Sequence, residues 1–161
     1  MKIKIIIALA TIAAISVGAF VVAGGGTKLN AAELEKMRGS DGYYADGDMM
    51  TLPDPMGVPH VLASCADAGK IVKVAFDLQY KVGKEWVDTP EMAATAFTDH
   101  AVEVRSALIL MIASKREDEM IRGGAGVRFL EEIRSMMNEI VFPKQMARIE
   151  KVLVKEMLVQ G

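Results

Sequence analysis

Ile71-Val72-Lys73-Val74-Ala75-Phe76-Asp77-Leu78-Gln79-Tyr80 is the stretch around which the rest of the chain has to be arranged. Val72, Val74, Phe76, Leu78 and Tyr80 alternate with Lys73, Ala75, Asp77 and Gln79, and a period of two puts the first set on one face of a β-strand. That face needs a core and the other meets water. The cover for the apolar face must come from the sequence on either side.

Downstream, Gly83-Lys84-Glu85-Trp86 is followed by Thr89, suited to the N-cap of a helix, with Pro90 at N1 where its missing N–H is no loss. The stripe Phe97, Ala101, Val104, Leu108, Met111 recurs at alternating steps of four and three, as a helix with one buried face requires. Glu117 and Asp118 lie in a polar interval with room for a short helical turn. Gly123-Gly124-Ala125-Gly126 then interrupts the chain before a second helix, whose apolar positions are Phe129, Leu130, Ile133, Met136, Met137, Ile140 and Val141. Pro143 ends it. Ile149 to Gln160 fits neither clean alternation nor a clean helical stripe, so strand and helix both stay open there, strand slightly ahead. No internal repeat is present.

Upstream, Leu52-Pro53-Asp54-Pro55 forces an extended or turning backbone before Val58 and Val61-Leu62, which make an edge strand at most. The folded domain is therefore expected over residues 51–161, with residues 24–50 as a linker. Within the linker, Gly24-Gly25-Gly26-Thr27 reads as a hinge, because glycine loses the most backbone entropy on ordering. Asn30-Ala31-Ala32-Glu33 has the form of a capping box and opens a short helix to about Arg38. Leu34 and Met37 form its apolar edge and are the candidate partner-binding residues. Gly39-Ser40-Asp41-Gly42 stops that helix, and Asp46-Gly47-Asp48 continues the turn-rich composition.

Ile5 to Ala23 carries no charge, and as a helix it spans about 28 Å, close to the ~30 Å hydrocarbon core of a bilayer. Lys2 and Lys4 precede it, so residues 1–4 are expected in the cytoplasm and the domain outside it. The rival reading is a cleaved signal peptide, with Val21 and Ala23 as small residues before Gly24. The apolar run is longer than the usual h-region of about 7–15 residues, which favours retention. No cysteine stands just after the segment, so lipoprotein processing is excluded. Either way the domain is exported.

The composition narrows the functional classes. The chain has 161 residues, room for one domain and an anchor, and is 52% hydrophobic. Mean hydropathy is +0.26, and much of the excess lies in the first two dozen residues. A net charge of −2 leaves no basic field for nucleic acid. One cysteine, Cys65, supplies neither a disulfide nor a thiolate zinc set.

Gly123-Gly124-Ala125-Gly126 between Arg122 and Arg128 resembles an anion cradle at a helix start, but it lacks a phosphate loop's Gly-Lys-Ser/Thr, and a structural turn is the better reading. His60 and His100 are the only histidines and show no ligand-like spacing. Asp99 beside His100 invites a triad with Ser64 or Ser106, yet neither serine sits in a nucleophile elbow, and Ser106 inside a helix bonds its own backbone. Glu131-Glu132 and Lys115-Arg116-Glu117-Asp118-Glu119 are solvated faces. The twelve methionines mostly fill core gaps and form no copper-binding stripe. No catalytic, cofactor-binding or metal site is expected.

Three stretches carry a resemblance: Ala101 through Ser114, the glycine-led helix through Phe129, Ile133, Met137 and Asn138, and the ending from Val152 to Gln160. Together with the order of anchor, linker, strand and helices, they resemble the FliL family of the bacterial flagellar basal body over residues 51–161. The glycine-rich Gly123–Gly126 and the region before Ile71 depart from the pattern. The resemblance implies an α/β fold of α+β type, a small mixed sheet packed with helices and similar to the stomatin and prohibitin homology domain. It also implies that Ile149 to Gln160 is a strand.

In function, the resemblance implies an inner-membrane, single-pass protein with a periplasmic domain. Such a protein self-associates into an oligomer such as a ring, contacts the ion-driven stator units of the basal body, and supports torque, chemotaxis, swimming and swarming. The alternatives are a stomatin-like membrane scaffold unrelated to motility and an exported hydrolase using Asp99 and His100. If the uncharged run is a retained anchor, mass spectrometry of the mature protein will find Met1 or Lys2 at its start. A product beginning at Gly24 would mean cleavage.

Overall fold

A computed structural model describes residues 30–47 and 49–161. The expected span at residues 5–23 and the glycine hinge at residues 24–27 lie outside the described residues. Among those described, no helix is long and apolar enough to cross a membrane. In chain order the elements are α1 (Ala31–Met37), β1 (Met50–Leu52), β2 (Val61–Ser64), β3 (Ile71–Val82), α2 (Glu91–Ala113), α3 (Glu117–Ile121), α4 (Gly123–Val141) and β4 (Ala147–Gln160).

The alternating stretch is β3, two residues longer than its pattern showed, and it is the hub of a four-stranded sheet. β1 pairs with its Leu78–Tyr80 portion and β2 with its Ile71–Val74 portion, while β4 pairs along its whole length. A strand has two edges, so β1 and β2 share one side of β3 and β4 takes the other. All pairings are antiparallel. The mixed sheet that the resemblance implied is therefore corrected. β2 turns directly into β3 through Gly69, whose φ of +77° suits a residue without Cβ. β4 returns along β3 after a helical hairpin rather than after a single crossover.

β4 explains its own ambiguous sequence. The register steps from Ala75↔Glu156 to Phe76↔Val154, and from Gln79↔Lys151 to Tyr80↔Ile149, so Lys155 and Glu150 are bulged residues without an opposite number. The residues opposite the core face of β3 are consequently Ala147, Ile149, Val152, Val154, Met157 and Val159. Their steps run two, three, two, three, two, which belongs to neither regular period. The strand implied by the resemblance is present and starts at Ala147.

Helices cover the apolar face of β3, where Val72, Val74, Phe76, Leu78, Tyr80 and Val82 are buried. α2 contributes Ala93, Phe97, Val104, Leu108 and Ile112. The expected stripe thus holds in its middle, but Ala101 and Met111 are only half-buried and Ile112 takes the inward position. α2 starts one residue later than expected, with Pro90 at the N-cap. α4 buries Phe129, Ile133, Met137 and Val141, with Leu130, Met136 and Ile140 packed beside them, following the sequence pattern. Phe142 joins the core, its ring edge-on to Phe97 at 5.4 Å and to Trp86 at 6.3 Å.

The glycine run is the first turn of α4 rather than a break ahead of it. At Gly126 a Cβ would lie 3.0 Å from the Met120 carbonyl oxygen, closer than side-chain carbons ordinarily pack, so glycine suits the close approach of α3 and α4. At the far end, Asn138 of α4 donates to the Ile149 carbonyl (3.2 Å) and accepts from the Ile149 N–H (2.8 Å), serving the edge of β4 as a neighbouring strand would.

Ile133 is fully buried at the centre of this layer. Ile133→Asp places an unpaired charge there at a cost of several kcal/mol against a typical stability of about 5–15 kcal/mol, so the cooperative thermal transition should be lost. Ile133→Val should cost only about 0.5–1.5 kcal/mol. Unchanged melting of the aspartate variant would place that face in solvent.

Candidate functional site

Several directional polar interactions join the expected linker to the domain. α1 forms with the capping box read from sequence: Asn30 Oδ1 accepts from the Glu33 N–H and Glu33 Oε2 from the Asn30 N–H, both at 2.9 Å. Its apolar edge faces inward. Leu34 is 4% exposed in a small cluster with Tyr43 and Tyr44, against which Met37 packs. Leu34 is therefore covered by its own chain while Met37 stays half-buried, and α1 has to leave its place before Leu34 can touch anything else.

Residues 30–47 follow the domain rather than standing apart from it. Tyr44 bridges to Gly83, and the Ala45 N–H donates to the Val82 carbonyl at 3.0 Å, so the segment briefly continues the sheet beyond β3. The Tyr43 ring lies against Gly83, where any Cβ would overlap it. Tyr43 and Tyr44 meet edge to face, with ring centroids 5.3 Å apart.

Two arginines fasten the segment. Arg38 donates to both oxygens of Glu85, at 2.9 and 3.0 Å, and the Tyr43 hydroxyl donates to the same carboxylate at 3.1 Å. From β4, Arg148 bonds Asp41 at 2.9 Å and Glu150 at 2.7 Å, and its guanidinium lies 4.3 Å from the centre of the Tyr44 ring. Glu85 holds the Arg38 guanidinium above its ordinary value. Burial, and then the neighbouring Glu85 charge, push the Tyr43 hydroxyl up to about 12. Burial also raises Tyr44 and Tyr80.

Beside this junction lies an open groove of about 450 Å³, lined by Tyr44, Arg134, Asn138, Glu139 and Arg148 among others. Arg148 and Asn138 are committed to the contacts above, and Arg134 is paired with Glu131 at 2.5 Å. Most of the groove's polar groups thus have partners, the exception being the buried Nε of Arg134, which has no hydrogen-bond partner among the described residues. The groove is a seam between elements rather than a preformed ligand site.

The residues considered for chemistry lie apart. His100 Nδ1 is 3.0 Å from Glu103 Oε2, not from Asp99, on an exposed turn of α2. Ser106 Oγ donates to the Val102 carbonyl at 2.8 Å, as its helical position suggested, and Ser64 ends β2. Cys65 is a free, half-buried thiol. Among the described residues no group of three or more His, Cys, Asp or Glu is placed to hold a metal ion, and no polar or charged side chain other than tyrosine is buried. Exposed apolar side chains include Leu62, Ile71, Leu153 and Leu158 on the outer sheet face, Val102, Ile109 and Leu110 on α2, and Ile121 and Val127 at the α3–α4 corner.

Sequence reasoning missed Tyr43, Tyr44, Glu85 and Arg148. One signal was available. Two of the chain's three tyrosines stand side by side in a stretch otherwise built of small and acidic residues, where large aromatic rings have no use unless they dock.

Comparison with known proteins gives one family. The sequence model described as "Flagellar basal body-associated protein FliL" matches residues 55–160, well over half of the chain and every element from β2 to β4. No curated protein matches the sequence.

The raised Tyr43 value fixes how the junction answers alkali. A hydroxyl whose value is raised on folding contributes stability that is complete below the unfolded value near 10 and is lost as pH rises towards about 12. Docking of residues 30–47 should weaken over that window. In a spectrophotometric titration of tyrosinate, Tyr43→Phe should remove the latest of the three steps. A late step persisting in that variant would assign it to another tyrosine.

Proposed function

The chain belongs to the FliL family, flagellar basal body-associated proteins, and from that premise we propose a membrane-anchored structural partner of the ion-driven stator units. In this reading residues 5–23 span the inner membrane with residues 1–4 in the cytoplasm, and the domain, expected over residues 51–161, works in the periplasm. Copies of it associate into an oligomer around the stator and support torque in swimming and swarming. The observation that carries the reading is the extent of the family match, which takes in the central sheet and both long helices.

The structure supplies a physical setting for this role. The described core is apolar throughout, and the surface keeps apolar patches on α2 and on the outer sheet face, where contacts between proteins can form. Anchoring confines such a domain to the layer where its partners sit, so weak contacts act at high effective concentration. Leu34 and Met37 join the partner surface in this reading only when α1 is displaced.

An exported chain beginning at Asn30 keeps every described element and lacks the anchor. It should fold, as judged by circular dichroism, yet leave a deletion strain without restored swimming, while the full chain restores it and gathers at the flagellar base. Full rescue by the anchorless chain would contradict the tethered mechanism. Diffuse membrane localisation of the intact protein in flagellated cells would favour a stomatin-like scaffold unrelated to motility.

A further inference from the structure

We propose that residues 30–47 are a releasable strap, held on a seat built around Gly83 and Glu85, and that the strap opens as a unit while the four-stranded sheet stays folded. The first observation is the partition of the apolar contacts. Leu34, Tyr43, Tyr44 and Met37 form a cluster of their own, separate from the core between sheet and helices. The strap therefore parts from the domain along a boundary between two clusters rather than through the main core.

The second observation is the nature of the ties. Arg38–Glu85 and Arg148–Asp41 are ion pairs with partly solvated side chains, at 28% and 15% exposure for the first pair and 29% and 93% for the second. On release all four groups meet water rather than a sealed interior, so no buried charge is left stranded. α1 has seven residues, too few to persist as a helix away from its support, so leaving the seat and melting are one event.

The third observation is the seat itself. Gly83 has an ordinary φ of −69°, so nothing in its own backbone calls for glycine. What calls for it is the Tyr43 ring, whose hydroxyl oxygen lies 2.6 Å from where a Cβ would stand. The domain carries a gap shaped for one side chain of the strap, with the Glu85 carboxylate placed to accept that side chain's hydroxyl.

The strap lies between the amino-terminal segment and the sheet. Its release frees eighteen residues, Asn30 to Gly47, which as a flexible chain add a root-mean-square length of about 23 Å to the tether. This consequence for reach rests on the anchored reading above, whereas the opening does not.

Hydrogen exchange on the full-length chain, with its amino-terminal segment intact, separates the two. Amides between Leu34 and Ala45 should exchange roughly a hundredfold or more faster than those of β3, since local opening needs less free energy than global unfolding. Gly83→Ala should speed strap exchange by a further tenfold or so and leave β3 and β4 unchanged, again as a local effect. Tyr43→Phe, which keeps the ring and removes its hydroxyl, should act in the same direction but less, and it serves if the alanine variant does not fold. Equal exchange of strap and β3 in the unaltered chain would overturn the proposal, as would a Gly83→Ala chain in which both speed up together or neither does. None of these readouts uses motility, so failure here is distinguishable from failure of the flagellar reading.

Discussion

Twelve residues of β3 pair with a fourteen-residue β4, and the excess of two is taken up by the bulges at Glu150 and Lys155. That mismatch sets much of what surrounds it. Each bulge adds local twist and bends the strand, so a long ribbon can wrap the helical layer instead of running past it. The bulged residues are also put to use. Glu150 accepts from Arg148 at 2.7 Å, and Lys155 reaches both Asp54 and Asp77 across the outer side, at 3.1 and 3.3 Å. Among the described residues no strand pairs with the outer edge of β4, and bulges with charged side chains are among the devices that keep such an edge from pairing with foreign strands. Asn138 satisfies that edge at Ile149 in the same spirit.

The parts of the fold legible in the sequence are those with one covered face and an uninterrupted period. β3 showed itself because every second residue points into the core without a break, and α4 because Phe129, Ile133, Met137 and Val141 keep one side of a regular helix. α2 was legible in its middle and shifted at its end, where a row of apolar residues from Ala107 to Ala113 offers two adjacent stripes and only tertiary packing chooses Ile112 over Met111. β4 was illegible for a definite reason: each bulge moves the alternation by one place, so two of them give a pattern that belongs to neither strand nor helix. The antiparallel order of the sheet was out of reach too, because direction of pairing leaves no mark in the period of a single strand.

The junction was legible only in its local parts. A capping box is a contact between residues three apart, so Asn30 and Glu33 declared it. The arginine clasps join residues 47 and 107 positions apart, and no spacing rule links Arg38 to Glu85 or Asp41 to Arg148. Reading Leu34 and Met37 as an outward edge followed from treating residues 24–50 as unsupported chain. The structure places two tyrosines beneath them, and the same amphipathic edge that suits a partner suits the chain's own rings.

The division of forces between the two regions bears on how they act. The core is held by many small dispersion contacts with no directional requirement, so it can be lost only as a whole. The junction is held by a few directional ties, each worth about 1 kcal/mol or less where partly solvated, together with one small apolar cluster. Such a set opens locally because its parts are few and share one short segment. The family match begins at residue 55, beyond α1, Tyr43 and Tyr44, yet it includes Gly83, Glu85 and Arg148. The matched domain therefore carries the receiving half of the junction, and the segment leading to the amino terminus carries the half that docks. A connection divided in this way lets the preceding segment bear on the domain through two side-chain clasps, the Tyr43 seat and one backbone hydrogen bond from Ala45 to Val82, without any change within the sheet that the bulged ribbon holds together.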